Sequence, residues 1–432
     1  MLERLFQLQA HGTTVRKEVV AGITTFLTMA YVIVVNPDIL SSTGMDFGAV
    51  FVATCLAAAI GTLIMGLWAN YPIALAPGMG LNAFFSFTVV GSMGYSWQVA
   101  LGAVFLSGFL FFLLSIFRVR EWIINSIPMS LRFGISAGIG FFLALIALKN
   151  AGIVAGHPET LVTLGNIKAP EALLFFSGFV LICALSFRQI TGSVMIGIIA
   201  VTVAAMMLGM VEYKGIVSAP PSIAPTFMQL DLAGALNVGM ISVVFAFLFV
   251  DLFDTSGTLV GAAQKGGLLD KDGKLPRLGR ALMSDSVATM SGAALGTSTT
   301  TSYVESTAGI TAGGRTGLTA VVVALLFLAC LLFAPIASVI PPYATAPALL
   351  YVACLMASGL KLVDWDDITD IAPAIVTALM MPLTFSIAHG IALGFITYVA
   401  VKALAGKWSD LNWSVTIIAV VFVLKFMFLE AA

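Results

Sequence analysis

The chain has 432 residues, 60% of them hydrophobic, with only 20 basic and 21 acidic side chains, a net charge of −1 and a mean hydropathy of +1.06. An ordinary soluble domain is about 45–50% apolar, so this composition excludes one. Apolar runs of about 17 to 25 residues recur from end to end; they are too long for barrel strands, and only helices or closed barrels satisfy their backbone in lipid, which leaves an all-α polytopic membrane protein.

The charged start, through Val20, leads into a full span and not into a short apolar core with a small-residue cleavage site, so insertion itself is expected to target the chain. Apolar runs and their polar breaks place spans at 18–35, 49–69, 73–90, 97–117, 133–149, 172–187, 192–211, 238–262, 281–296, 297–313, 316–334, 341–359, 370–384 and 386–404, with a last apolar stretch at 412–429. With a cytoplasmic amino terminus and fourteen crossings, sixteen Lys/Arg fall inside and only Lys149, Lys168 and Lys214 outside, Lys425 lying in the last stretch. That asymmetry fits a cell inner membrane protein. The charged connector "QKGGLLDKDGKLPRLGR" then becomes a cytoplasmic loop. Cys55, Cys183, Cys330 and Cys354 sit in apolar segments without paired or metal-like spacing, which reads as packing; no metal and no cofactor are expected. The net charge is silent on nucleic acid, and no such partner is expected.

Seven spans precede the long connector at 213–231 and seven follow, and an odd number per half makes the halves inverted relative to each other. "IPMSLRFGISAGIGFFLALIALKNAG" and "IPPYATAPALLYVACLMASGL" occupy the fifth place in each half, and "RQITGSVMIGI" and "FSIAHGIALGF" open the seventh. The third segments are interrupted. "YPIALAPGMGLNAFFSF" carries Pro72, Pro77, Gly78 and Gly80, so a helix starts only after Pro77. "LGTSTTTSYVESTAGI" sets Gly296 and a Thr/Ser run suited to extended backbone before a short helix, and Ser302 with Glu305 fits a capping box. Each third segment therefore reads as a short extended piece followed by a half-helix. Matched interruptions of this kind point to a transporter's binding site, although Pro and Gly also kink packed helices.

Asp251 and Asp254, in "FLFVDLFDTSGTL", are one helical turn apart and share a face that Phe247, Thr255 and Thr258 extend. A carboxylate at a membrane helix centre costs about 2.5 to 3.5 kcal/mol, so such residues mark substrate or proton paths more often than structural hydrogen bonds. Glu305 is a third acid at similar depth. No base in these spans neutralises the acids, so at least one is expected to exchange a proton near physiological pH. A carboxylate accepts ring N–H groups, Asn82 can donate and accept, and Phe84 and Phe85 offer apolar faces. The set suits a planar, uncharged, donor-rich heterocycle better than an anion.

At these residues the sequence resembles the AzgA-like branch of the nucleobase/cation symporters, the hypoxanthine, guanine and adenine permeases. The matching elements are "GITTFLTMAYVIVVNP", "APGMGLNAFF", "FVDLFDTSGTL", "LGTSTTTSYVESTAG" and "GGRTGLTAVVV", and the likeness covers nearly the whole chain. The resemblance implies fourteen spans in two inverted seven-span repeats. It implies a core domain from 1–117 and 235–335, and a gate domain from 118–234 and 336–432 with room for an extra C-terminal helix. It also implies proton symport by elevator-like movement of the core against a dimeric gate. By motif, the substrate-binding acids fall on Asp251 and Glu305, the third-span asparagine on Asn82 with Gly80 allowing close approach, and the second eighth-span acid on Asp254. With Phe84, Phe85 and Ser302 these complete the expected binding set, and Asp254, Asp251 and Glu305 are the candidates for proton coupling. The wording "VDLFDT" and "TSTTTSYVES" is closer to hypoxanthine/guanine carriers than to adenine carriers.

Two other classes compete. An anion carrier of the same inverted-repeat architecture would hold sulfate or bicarbonate at half-helix ends, against which the acids stand. An intramembrane enzyme could use paired carboxylates, but the chain has no metal cluster and only His11, His157 and His389, all near expected ends or loops. His389 reads as packing, "WDDITD" as a solvated loop, and "TAGGRTG" as a tight turn without the lysine spacing of a phosphate loop.

Overall fold

A computed structural model of the chain describes residues 2–116, 128–268 and 275–428. The last residue of the span expected at 97–117, the first domain boundary, the middle of the charged connector and the last residue of the stretch at 412–429 lie outside them. The first expected span is two helices, α1 (Val15–Met29) and α2 (Val32–Ser41), parted at Ala30 and Tyr31. Asp46 receives the Ala49 N–H at 2.7 Å and so starts α3 (Phe47–Ile64), which continues in wide turns to Ala69. Then come β1 (Leu75–Pro77), α4 (Met79–Ala83) widening into π-type turns over Phe84–Ser92, and α5 (Trp97–Ile116). After α6 (Met129–Asn150) the connector forms an outlying hairpin of β2 (Val154–His157) and β3 (Leu161–Leu164), which hydrophobic patterning does not reveal. The helices α7 (Pro170–Phe187) and α8 (Ser193–Met207) complete the first half.

The second half repeats the order with α9 (Val238–Gly266), α10 (Leu278–Leu295), β4 (Thr300–Ser302), α11 (Ser306–Thr311) and α12 (Gly317–Cys330). It continues through a short helix at Ala334–Val339 to α13 (Pro342–Ala357), α14 (Ile368–Leu383), α15 (Ile387–Leu404) and α16 (Trp413–Phe428). The segments expected at 370–384 and 386–404 are separate helices, α14 and α15, that pack on each other, and α16 is a further helix lying on α15. Lys402, only 2% exposed, pins that end by bonding Asp370 and Asp410, each at 3.1 Å. Among the described residues nine helical segments are long and apolar enough to cross a membrane, and four shorter apolar helices accompany them. The chain is a multi-pass membrane protein.

The helices pack in two groups. One joins α1–α5 to α9–α12, with α10 against α5 and α3, and α12 against α1 and α3. The other joins α6–α8 to α13–α16, with α6 held between α13 and α14. Between the groups, Thr345 donates to Asp38 and Thr88 donates to the Phe385 carbonyl, both at 2.8 Å.

A carboxylate from one helix caps another. Glu18 of α1 is fully buried and receives Arg315 N–H at 2.9 Å, Thr316 N–H at 3.3 Å, Thr319 N–H at 3.2 Å and the Thr319 hydroxyl at 2.6 Å. Asn70 Oδ1 takes the Gly317 N–H at 2.7 Å. The amides that open α12 are thus satisfied by side chains far away in sequence, with negative charge at the helix end that favours it. The close approach has a steric condition, since a Cβ on Gly317 would lie 1.8 Å from the Gly66 carbonyl oxygen. Glu18→Ala leaves several buried donors without acceptors and should cost about 3 kcal/mol or more. A fall in the thermal unfolding midpoint of the detergent-solubilised protein is the expected reading, and an unchanged midpoint contradicts the cap.

Candidate functional site

The two interrupted segments meet. β1 and β4 run antiparallel, with Leu75 opposite Ser302, Ala76 opposite Thr301 and Pro77 opposite Thr300. Gly78 N–H to Thr299 O and Tyr303 N–H to Ala74 O, both 2.9 Å, lengthen the ladder. Around it, Leu75 N–H donates to Thr62 Oγ1 at 2.9 Å, Ala74 N–H to Ser306 Oγ at 3.0 Å, and the Tyr303 hydroxyl to Pro77 O at 2.5 Å. All six strand residues are buried, so their backbone groups find partners inside the protein, as buried non-helical backbone must.

Asp285 of α10 secures the second strand. It is fully buried; Oδ1 accepts the Ser302 N–H at 2.9 Å and the Ser302 hydroxyl at 3.0 Å, and Oδ2 accepts the Thr255 hydroxyl at 2.9 Å. The sequence reading missed this residue. Its signal was present, since Asp285 is the only acid within α10. The capping box expected of Ser302 and Glu305 does not form. Ser302 is the last strand residue and spends its hydroxyl on Asp285, while Glu305 precedes α11 without a side-chain cap bond. Glu305 instead accepts the Tyr31 hydroxyl at 2.9 Å, from the break between α1 and α2.

The two aspartates of α9 point into different surroundings. Asp251 is 1% exposed; its Oδ2 faces the Thr289 hydroxyl at 3.2 Å, and that hydroxyl also faces the Thr300 carbonyl at 3.0 Å, so one proton serves two acceptors. Thr301 Oγ1 lies 2.7 Å from Thr255 Oγ1 and also faces the Asp251 carboxylate. Asp251 Oδ1 is left buried without a donor among the described residues. Asp254 is exposed and within electrostatic reach of Glu305 and Tyr303, while Asp251 feels both Asp285 and Asp254. The acids therefore form one electrostatically connected cluster with distinct environments.

On the first half-helix, Asn82 is fully buried, donates from Nδ2 to Asn36 Oδ1 at 2.6 Å, and keeps Oδ1 without a donor. Phe84, two residues on, meets Phe247, one turn before Asp251, edge to face with ring centres 4.9 Å apart, which sets α4 beside α9. Phe85 is fully buried. What Gly80 admits is Ile139 of α6, whose Cγ2 would stand 2.3 Å from a Cβ there. Two surface cavities lie elsewhere, about 440 Å³ beside Phe47 and Pro335 and about 280 Å³ beside Lys402 and Asp410. Asp251 and Asn82 are enclosed. The stretches 18–117, 215–264 and 281–314 contain neither Lys nor Arg; the basic residues of α1, α9 and α10, Arg16, Lys17, Lys265 and Arg280, lie at the helix ends.

Residues 16–424 match the Permease family. The chain is 52% identical over 431 residues to the adenine permease AdeP of Escherichia coli, which covers all of this chain and 97% of that protein. It is 46% identical over 441 residues to the guanine/hypoxanthine permease PbuG of Bacillus subtilis, covering 99% of this chain and 100% of that one. The transmembrane domain of the cyanobacterial bicarbonate transporter BicA superposes with a TM-score of 0.66 at 15% identity over 86% of this chain and 96% of that chain, a likeness of fold. Family match and relatives bear out the resemblance drawn from the motifs: the chain belongs to the Permease family.

Proposed function

We propose that the protein imports purine nucleobases together with protons. The observation that carries this reading is a pair of buried acceptors without donors among the described residues, Asp251 Oδ1 and Asn82 Oδ1, on adjacent stretches that hold no lysine or arginine. A purine brings ring and amino N–H groups on a flat frame, which are the missing donors, and Phe84, Phe85 and Phe247 supply apolar surface beside them. Relatives named as adenine and as guanine/hypoxanthine permeases support the substrate class. The anion-carrier reading has the BicA-like fold on its side and the acids against it.

Proton coupling is assigned to Asp254, Glu305 and Asp251. Two carboxylates within electrostatic reach repel when both are charged, so a proton held on one stabilises the pair. Asp254 is the acid taken to exchange it with Glu305 nearby, whereas Asp251 grips the base. In this reading 1–117 and 235–335 move as a core against a gate of 118–234 and 336–432, through which two copies pair. The separate packing of the two helix groups supports that division, and the antiparallel meeting of β1 and β4 supports two inverted seven-span repeats. The Lys/Arg asymmetry supports a cytoplasmic amino terminus in the bacterial plasma membrane.

Uptake of radiolabelled hypoxanthine by cells lacking their own carriers is expected to collapse with a protonophore, and uptake at full rate rejects coupling. Competition with adenine, guanine, hypoxanthine, xanthine and sulfate should show inhibition by purines; inhibition by sulfate alone reverses the choice of substrate class. Asp251→Asn and Glu305→Gln should each lower uptake about tenfold or more at unchanged membrane abundance. Wild-type rates in both place the site elsewhere. Asp285→Ala strips three hydrogen bonds from β4 and Thr255 and should abolish uptake, with purine affinity and thermal stability falling together; normal purine binding in this variant contradicts its supporting role.

A further inference from the structure

A polar chain runs from the first two spans into the site, and its donors fix its direction. Thr54 gives its proton to the Val50 carbonyl at 2.6 Å, so toward Asn36 it can only accept. Asn36 Nδ2 donates to Thr54 Oγ1 at 2.6 Å and to Thr297 Oγ1 at 2.9 Å. The carbonyl end of Asn36 therefore faces Asn82, whose Nδ2 donates to it at 2.6 Å. Asn36, Thr54, Thr297 and Asn82 are all 0% exposed, so water does not compete for these bonds. With its nitrogen held, Asn82 turns Oδ1 the other way, and that is the oxygen left without a donor. A flipped Asn82 amide would set two carbonyl oxygens against each other.

We infer that Asn36, locked by Thr54, is a positioning residue that makes Asn82 a fixed hydrogen-bond acceptor, so the carrier reads one N–H of its substrate there and rejects a base whose nitrogen at that point bears a methyl group. The inference deepens the purine reading and rests on it. Asn36 acts through Asn82. A site built to pair with an N–H discriminates strongly against an analogue lacking it, because its own buried acceptor is then left without a partner. Free rotation of the Asn82 amide removes that discrimination, since the group can then offer either a donor or an acceptor.

The test is inhibition of hypoxanthine uptake by hypoxanthine and its ring N-methyl isomers in the full-length carrier, with membrane abundance measured alongside. The variants are Asn36→Leu, which removes both ends of the link, and Thr54→Val, which is close in shape and removes only the lock. Asn36→Leu is expected to weaken hypoxanthine about tenfold and to shrink the penalty at one methyl position by a similar factor, leaving the other positions unchanged. Thr54→Val should move the same position in the same direction by about threefold. Loss of uptake in proportion to abundance, or an equal shift for every compound, marks Asn36 as merely structural and overturns the inference. Should Asn36→Leu fail to reach the membrane, the Thr54→Val profile decides alone. Asp251→Asn separates the two levels: a wild-type carrier that no purine inhibits defeats the purine reading, whereas purine inhibition sensitive to Asp251→Asn with an unmoved methyl profile in Thr54→Val defeats only the role of Asn36.

Discussion

Backbone inside a membrane protein must find its hydrogen-bond partners within the protein, and the pairing of β1 with β4 is how this chain meets that demand where two helices are broken. Pro77 and Gly78 prevent a helix in one segment, and Gly296 with its Thr/Ser run discourages one in the other. Each three-residue strand alone would leave peptide groups unpaired. Together they satisfy one another, and Thr62, Ser306 and Tyr303 close the remaining gaps. The ladder also brings α4, α9, α10 and α11, from opposite halves of the sequence, to a single place.

That convergence explains why several acids occur there in a chain with so few charges. Asp285 is supplied with three donors and behaves as framework, holding β4 and Thr255. Asp251 Oδ2 shares the Thr289 hydroxyl with the Thr300 carbonyl, Thr301 faces the carboxylate, and Oδ1 has no hydrogen bond of good geometry among the described residues. A buried carboxylate so poorly supplied costs several kcal/mol unless something else pairs with it. These two aspartates, neighbours in space, differ in supply: Asp285 is held by three donors, and Asp251 Oδ1 has no hydrogen-bond partner among the described residues. Glu305 and Asp254 differ again, Glu305 being held by the Tyr31 hydroxyl and Asp254 lying within electrostatic reach of Glu305.

Much of this was legible in the sequence because its signals are strong and local. Apolar runs mark the helices, and Pro77, Gly78 and Gly296 mark the breaks to within a residue or two. Asp251, Asp254 and Glu305 stand out because charge inside such a chain is costly. What stayed hidden depends on tertiary pairing. Asp285 lies in a helix whose serines and threonines blur its pattern, and only its bonds to Ser302 and Thr255 show its work. Asn36 precedes Pro37 inside an apolar helix far in sequence from Asn82, so their link needs coordinates. The Ser302–Glu305 capping box had the right spacing, yet strand pairing claimed Ser302 first. The split of the first span at Ala30 and Tyr31 left no mark in an apolar run that continues through it.

The central claim is that the oxygens left without donors beside the ladder are where substrate is held. The most direct measurement is the structure of the protein with a purine bound. The account predicts ring N–H groups about 3 Å from Asp251 Oδ1 and Asn82 Oδ1, with the base flanked by Phe84 and Phe247. A base bound at the Lys402 cavity or on the outer surface, with both oxygens still unpaired, would contradict it.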